Sequence, residues 1–75
     1  MESNIIMFPS VTFAMKSRNI LMKSNINSKI IRTPMHLRKK SCGYSLFVGR
    51  NFDDALEILR SNGITILGTA AVDQL

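Results

Sequence analysis

The apolar positions of this chain change their period several times, and each change marks an element. Asn4 to Phe8 reads as a short buried strand closed by Pro9. Ser10 is a good N-cap, and a helix over residues 11–24 follows it. On that helix Val11, Ala14, Leu21 and either Ser17 or Arg18 recur at three-to-four spacing, with Lys16 and Lys23 turned outward. Asn25 suits the left-handed position that ends a helix, and Ile26 packs back on the last turn. Residues 28–33 form a second strand stopped by Pro34. A loop follows, and then Tyr44 to Val48 form a third strand, with Phe47 facing away from Leu46 and Val48. Asn51 is placed to cap a second helix whose first turn carries Asp53 and Asp54, where acids favour the helix dipole. Ala55, Leu56 and Leu59 supply its buried stripe, Ile58 lies at the margin, and Gly63 ends it. Ile64 to Leu67 read as a fourth strand, with residues 69–75 as a tail or short extension.

The order is therefore β-α-β-β-α-β, and the halves echo each other: Ser24-Asn25-Ile26 and Asn62-Gly63-Ile64 end their helices similarly. Two crossovers joined by a hairpin imply an α+β fold, a ferredoxin-like split βαβ sandwich. Its antiparallel sheet has strand order 4-1-3-2 and both helices on one face. The uncovered face is open to solvent or to another chain. The reading is of a single domain over residues 1–75 with a core of about 4–68. Ala14, Leu21, Ile30, Leu46, Val48, Leu56, Leu59 and Ile66 are expected inside, and Lys16, Lys23, Lys39 and Arg60 outside.

Composition narrows the picture. Seventy-five residues lie near the lower limit for a self-supporting core, which leaves room for partner binding or self-association to add stability. A hydrophobic fraction of 45% is that of a globular chain, not a disordered one. One cysteine excludes an internal disulfide, and one histidine with one thiol offers no metal-ligand cluster, so neither a metal nor another cofactor is expected. No apolar run approaches the roughly 20 residues of a membrane span, and the acid-first N-terminus lacks a secretory pattern. The basic, acid-poor first half invites comparison with a mitochondrial presequence. Its apolar residues, however, alternate with turn signals as in a folded unit, and a reducing cytoplasm is the expected setting. The net charge of +5 is uneven: between Glu2 and Asp53 there are nine Lys or Arg residues and no acid. That asymmetry suits nucleic acid or an acidic protein partner, or simply a solvated face.

The chemistry concentrates at Arg38-Lys39-Lys40-Ser41-Cys42-Gly43. In the expected topology the turn between strands two and three lies at the same end as the start of the first helix. Residues 34–43 then belong beside Pro9, Ser10 and Val11. A thiol there meets free backbone N–H groups, the positive end of a helix dipole and loop cations, all of which favour thiolate, the reactive form. Gly43 permits a tight turn and an open approach. His36 stands in the same loop without a third group to orient it, so nucleophilic catalysis of the hydrolase kind is not indicated. A thiol that receives and passes on a group needs less: access, a lowered pKa and a basic docking surface, to which Arg32 adds.

Four strings, Phe8-Pro9-Ser10, Arg32-Thr33-Pro34, Ser41-Cys42-Gly43 and the stretch from Ala55 to Ile64, together resemble a group of small bacterial proteins regarded as selenium- or sulfur-carrier-like. The resemblance runs in the same order over roughly residues 5–68. In that family the cysteine before glycine is the candidate carrier residue, matched here by Cys42. The loop here is more basic than in the family, and Asn25 stands for the usual glycine after the first helix.

The leading expectation is a non-enzymatic carrier in which Cys42 holds sulfur or selenium as a persulfide-type adduct, with Ser10, Ser41 and Gly43 supporting it. Arg32, Arg38, Lys39 and Lys40 would meet a cysteine desulfurase or another sulfur- or selenium-handling protein. The alternatives are a basic nucleic-acid-binding or protein-interaction module in which Cys42 merely packs at a strand start, and a small-molecule sensor. Against nucleic-acid binding, Phe8, Tyr44 and Phe47 lack the usual glycine-aromatic signature. No phosphate loop supports the sensor.

Overall fold

The structure, a computed structural model, describes residues 3–37 and 43–72. Its elements follow the order β1 (Ile5–Met7), α1 (Val11–Lys23), β2 (Lys29–Arg32), a 3-10 turn (Met35–Leu37), β3 (Tyr44–Phe47), α2 (Phe52–Ser61) and β4 (Gly68–Ala70). The strands form one sheet in the order β2-β3-β1-β4, with every neighbouring pair antiparallel. This is the expected α+β arrangement, with β3 between β1 and β2.

Register explains which residues face the helices. Ile30, Leu46 and Ile6 stand opposite one another across β2, β3 and β1 and share one face. Ala14 and Leu21 of α1 and Ala55 and Leu59 of α2 close over Ile6, Phe8, Leu46 and Val48 as one buried cluster. Ile30, Leu56 and Ile66, expected inside, are partly buried at its rim, while Lys16, Lys23 and Arg60 are exposed as expected. Lys39 lies outside the described residues. Within α1 the buried residue at the ambiguous position is Ser17, not Arg18. Val11, expected in the stripe, is instead 39% exposed. The side of α1 that meets the sheet is centred on Ala14, Ser17 and Leu21. Val11 falls a quarter-turn away, with exposed Met15 and Met22.

Two expectations at chain turns need correction. The first concerns strand four, which lies at 68–70 and not at 64–67. The Ile64 N–H is spent on the Leu59 carbonyl (3.1 Å), so the chain leaves α2 still in the helix layer. It needs residues 64–67 to descend to the sheet, where Leu67 N–H meets the Met7 carbonyl at 2.9 Å. Gly68, Thr69 and Ala70 then pair with Met7, Ile6 and Ile5. The Asn4 side chain both donates to the Val72 carbonyl (2.7 Å) and accepts from its N–H (2.9 Å), so residues 69–72, expected as part of a tail, stay fastened to the sheet. The second concerns Asn51, which precedes α2 but makes no side-chain cap. Its backbone is left-handed (φ 59), which turns the amide away from the free N–H groups while its carbonyl accepts from Ala55 at 2.9 Å.

Candidate functional site

The end of the sheet that holds the β2–β3 connection is built from three local devices. Pro9 and Ser10 end β1 and start α1: Ser10 has extended backbone (φ −150), and its Oγ accepts the Phe13 N–H at 3.4 Å, the expected N-cap. That bond takes one lone pair of the oxygen, and the hydroxyl still has a second lone pair and an O–H to donate. No acid occupies the first turn of α1, and Val11 and Thr12 are exposed, so nothing in the turn itself neutralises this helix end.

The second device is the hairpin mouth. The Thr33 N–H donates to the Gly43 carbonyl at 2.8 Å, and Gly43 is buried with φ 87. A side chain is strained at that angle, so glycine is the residue that allows the chain to enter β3 here. The register ends at Met7 opposite Ser45; Gly43 lies two positions before Ser45, and Ser10 three positions after Met7. The two expected supporting residues that are described, Ser10 and Gly43, therefore stand at the same end of adjacent strands.

A third device was not singled out from the sequence. Thr33 and Ser45 are fully buried, and their hydroxyls bond to each other at 2.6 Å. Both side chains lie on the sheet face away from the helices, and their mutual bond lets two polar groups sit beneath the hairpin mouth without an unmet partner. A serine inside an otherwise apolar strand was the available signal: it marked a position that had to find a partner.

Of the expected docking cations, Arg32 is exposed at the sheet edge with its guanidinium 5.3 Å from the centre of the Tyr44 ring, its cross-strand neighbour. His36 is exposed in the 3-10 turn, beside Met35 at 81% exposure. Arg38, Lys39, Lys40, Ser41 and Cys42 lie outside the described residues. Among the described residues no group of three or more His, Cys, Asp or Glu is placed to hold a metal ion, and no helix is long and apolar enough to cross a membrane.

Comparison with known proteins gives one match. A family model described as "Putative Se/S carrier protein-like" covers residues 3–70. Neither a curated protein nor a solved structure matches.

Proposed function

This chain belongs to the Se/S carrier protein-like family, and from that premise we propose that it is a non-enzymatic sulfur or selenium carrier whose working group is the Cys42 thiol. The observation that carries the reading is the family match itself, which spans the hairpin and takes in Cys42 directly before Gly43. The geometry around it supports the chemistry. Gly43 enters β3 in a glycine-favoured conformation at the end of the sheet where α1 begins, and that helix start is free of acids.

The transfer is thiol exchange. The Cys42 thiolate attacks the outer sulfur of a donor persulfide; a new S–S bond forms on Cys42, the donor's S–S bond breaks, and the donor thiolate leaves. Sulfur changes hands with no net oxidation. The outer sulfur then passes to an acceptor nucleophile by the same step, which restores the Cys42 thiolate. A selenium atom in the outer position follows the same course. The donor is a cysteine desulfurase or a protein of similar chemistry. The loop cations Arg38, Lys39 and Lys40, with Arg32 at the adjoining edge, favour an acidic docking surface on it.

The test is intact mass after incubation with a cysteine desulfurase and cysteine. Wild type should gain one sulfur atom, reversible by dithiothreitol, and Cys42→Ser should fold and gain none. Iodoacetamide alkylation followed across pH should show a midpoint below the ordinary thiol value of ~8.5. A native thiol inert to iodoacetamide at pH ~8 would sink the reading, because a carrier must be reached by its partners.

A further inference from the structure

At the end of the sheet opposite the β2–β3 connection lies an open cleft. Gly43 at the mouth of β3 and Phe47 at its end are four residues apart, so the two ends are separated by roughly 13 Å at about 3.3 Å per residue. Here the chain leaving α1 and the chain leaving β3 enclose an open cleft of about 460 Å³, within the usual range of small-ligand sites. Its lining is chemically one-sided. Among the described residues it holds two cations, Lys29 and Arg50, one aromatic ring, Phe47, and no carboxylate.

Register fixes how these groups meet. Lys29 stands directly across from Phe47, so both side chains leave the same face of the sheet. Gly49 adds to the opening: a Cβ there would sit 3.7 Å from the Phe47 ring, so any side chain would abut the ring that glycine leaves clear. Around this floor stand the exposed amides of Asn25, Asn27 and Asn51. Asn25 and Asn51 are both held in left-handed conformations (φ 62 and 59), which fixes where they start. The Ser28 Oγ is buried without a hydrogen-bond partner among the described residues, leaving a donor and an acceptor unspent at the wall.

Carboxylates stand beside this cleft, but none of its described lining residues carries one. The last carbonyls of α1 are already engaged, Leu21 by the N–H of Ile26 and Met22 by that of Asn25. Asp53 and Asp54 of α2 line a neighbouring cleft that shares Gly49 and Asn51 with this one, and Asp54 and Glu57 line another that shares Ile26 and Asn51, so Lys29 and Arg50 are what favour an anion here.

A ring to stack on, two cations for a phosphate and amides for a base edge make one combined demand. We infer that this cleft binds a single nucleotide unit: the base on Phe47, the phosphate between Lys29 and Arg50, and base-edge hydrogen bonds from the asparagines. The unit is either a free mononucleotide or one residue of single-stranded RNA.

Amide-detected NMR on the full chain tests this with four probes: AMP, adenosine, inorganic phosphate and a hexamer of adenylate ribonucleotides. AMP should shift the amides of residues 26–29, 47 and 49–51 saturably, and adenosine and phosphate should each fall short of it. Arg50→Gln should weaken AMP binding by about tenfold, for loss of a charge-assisted hydrogen bond. Phe47→Leu should weaken it by about fivefold or more, for loss of stacking. Gly49→Leu should block it with the remaining resonances in place. Hexamer binding at the same amides about tenfold tighter than AMP, a gain of about 1.4 kcal/mol, makes RNA the source; equal or weaker hexamer binding makes it the free nucleotide. The inference is overturned by no saturable shift with either nucleotide probe at ~10 mM, beyond any useful affinity. It is also overturned by shifts that phosphate alone reproduces, or by unchanged AMP binding in Arg50→Gln and Gly49→Leu.

Discussion

The two helices of this small protein end alike and begin differently. At the end of α1, Ser24 is followed by left-handed Asn25, whose N–H bonds the Met22 carbonyl; Ile26 then bonds back to Leu21 at 2.9 Å. At the end of α2, Asn62 is followed by left-handed Gly63, whose N–H bonds the Arg60 carbonyl; Ile64 bonds back to Leu59 at 3.1 Å. Both are Schellman closures, each with a leucine and an isoleucine at the positions that pack together. The starts share nothing of this kind. α1 has a side-chain cap from Ser10 and no acid in its first turn, whereas α2 has an uncapped Asn51 and carries Asp53 and Asp54. Ending a helix over a sheet is the same physical problem in both halves and has the same solution. The starts lie at opposite ends of the sheet, and only one of them leaves the positive end of its dipole without a carboxylate of its own.

If the endings are equivalent, they should fail equivalently. Leu21 and Leu59 are both fully buried, so Leu21→Ala and Leu59→Ala should each cost ~2–5 kcal/mol, a large share of the stability of so small a domain. Urea unfolding of the two variants should give losses of similar size; a tolerated change at either would break the equivalence. The left-handed positions sharpen it further. Nothing lies within 4 Å of a Cβ built on Gly63, so Gly63→Ala should cost ~1–2 kcal/mol through backbone conformation alone. Asn25→Gly should move stability by less than ~0.5 kcal/mol, because asparagine already tolerates that region.

These same contrasts explain what the sequence made legible. The helix ends were readable because Asn25, Ile26, Gly63 and Ile64 act within a single turn, and local chemistry is written locally. Strand order followed from connectivity, since two crossovers and one hairpin leave few ways to arrange four strands. Strand four was misplaced because Ile64 and Ile66 carry the apolar signal of a strand while serving the helix closure and the core rim; Gly68, Thr69 and Ala70, which do the pairing, carry almost none. Asn51 was read as a cap from its residue type, yet its backbone angle decides the matter and is set by the path out of β3. At the hairpin, Ser10 and Gly43 were legible from motif chemistry, but the Thr33–Ser45 pair was not. Its partners are distant in sequence, and neither hydroxyl says alone where the other lies. The cleft at Phe47 was equally hidden, being assembled from the close of one crossover and the start of the other.

The starts of the helices give smaller effects. Ser10→Ala removes the bond to the Phe13 N–H and should cost ~1 kcal/mol, readable as a lowered urea midpoint with an unchanged slope. Asn51→Gly removes no cap and should leave the midpoint within ~0.5 kcal/mol of wild type or raise it. Equal losses at the two positions would mean that Asn51 supports α2 in a way its geometry does not suggest.

The smallest expected change tests the functional side of the comparison, because it makes the start of α1 resemble that of α2. Thr12 is exposed in the first turn of α1, and Thr12→Asp gives that turn the carboxylate it lacks. An acid at a helix start is worth ~0.3–1 kcal/mol, so the variant should be slightly more stable than wild type at low ionic strength. If the positive end of α1 favours the thiolate of Cys42, the same carboxylate offsets that field. Iodoacetamide alkylation at neutral pH should then slow by about two- to fivefold, the kinetic equivalent of that energy. Thr12→Asn controls for shape and should leave alkylation unchanged. Both effects of the aspartate should fade as salt is raised, since the site is exposed and the Debye length falls to about 3 Å at 1 M. Stability and reactivity thus move in opposite directions from one substitution. A stability gain with an unaltered alkylation rate would show that the start of α1 does not reach the thiol, and would leave only the loop cations to favour the thiolate of Cys42.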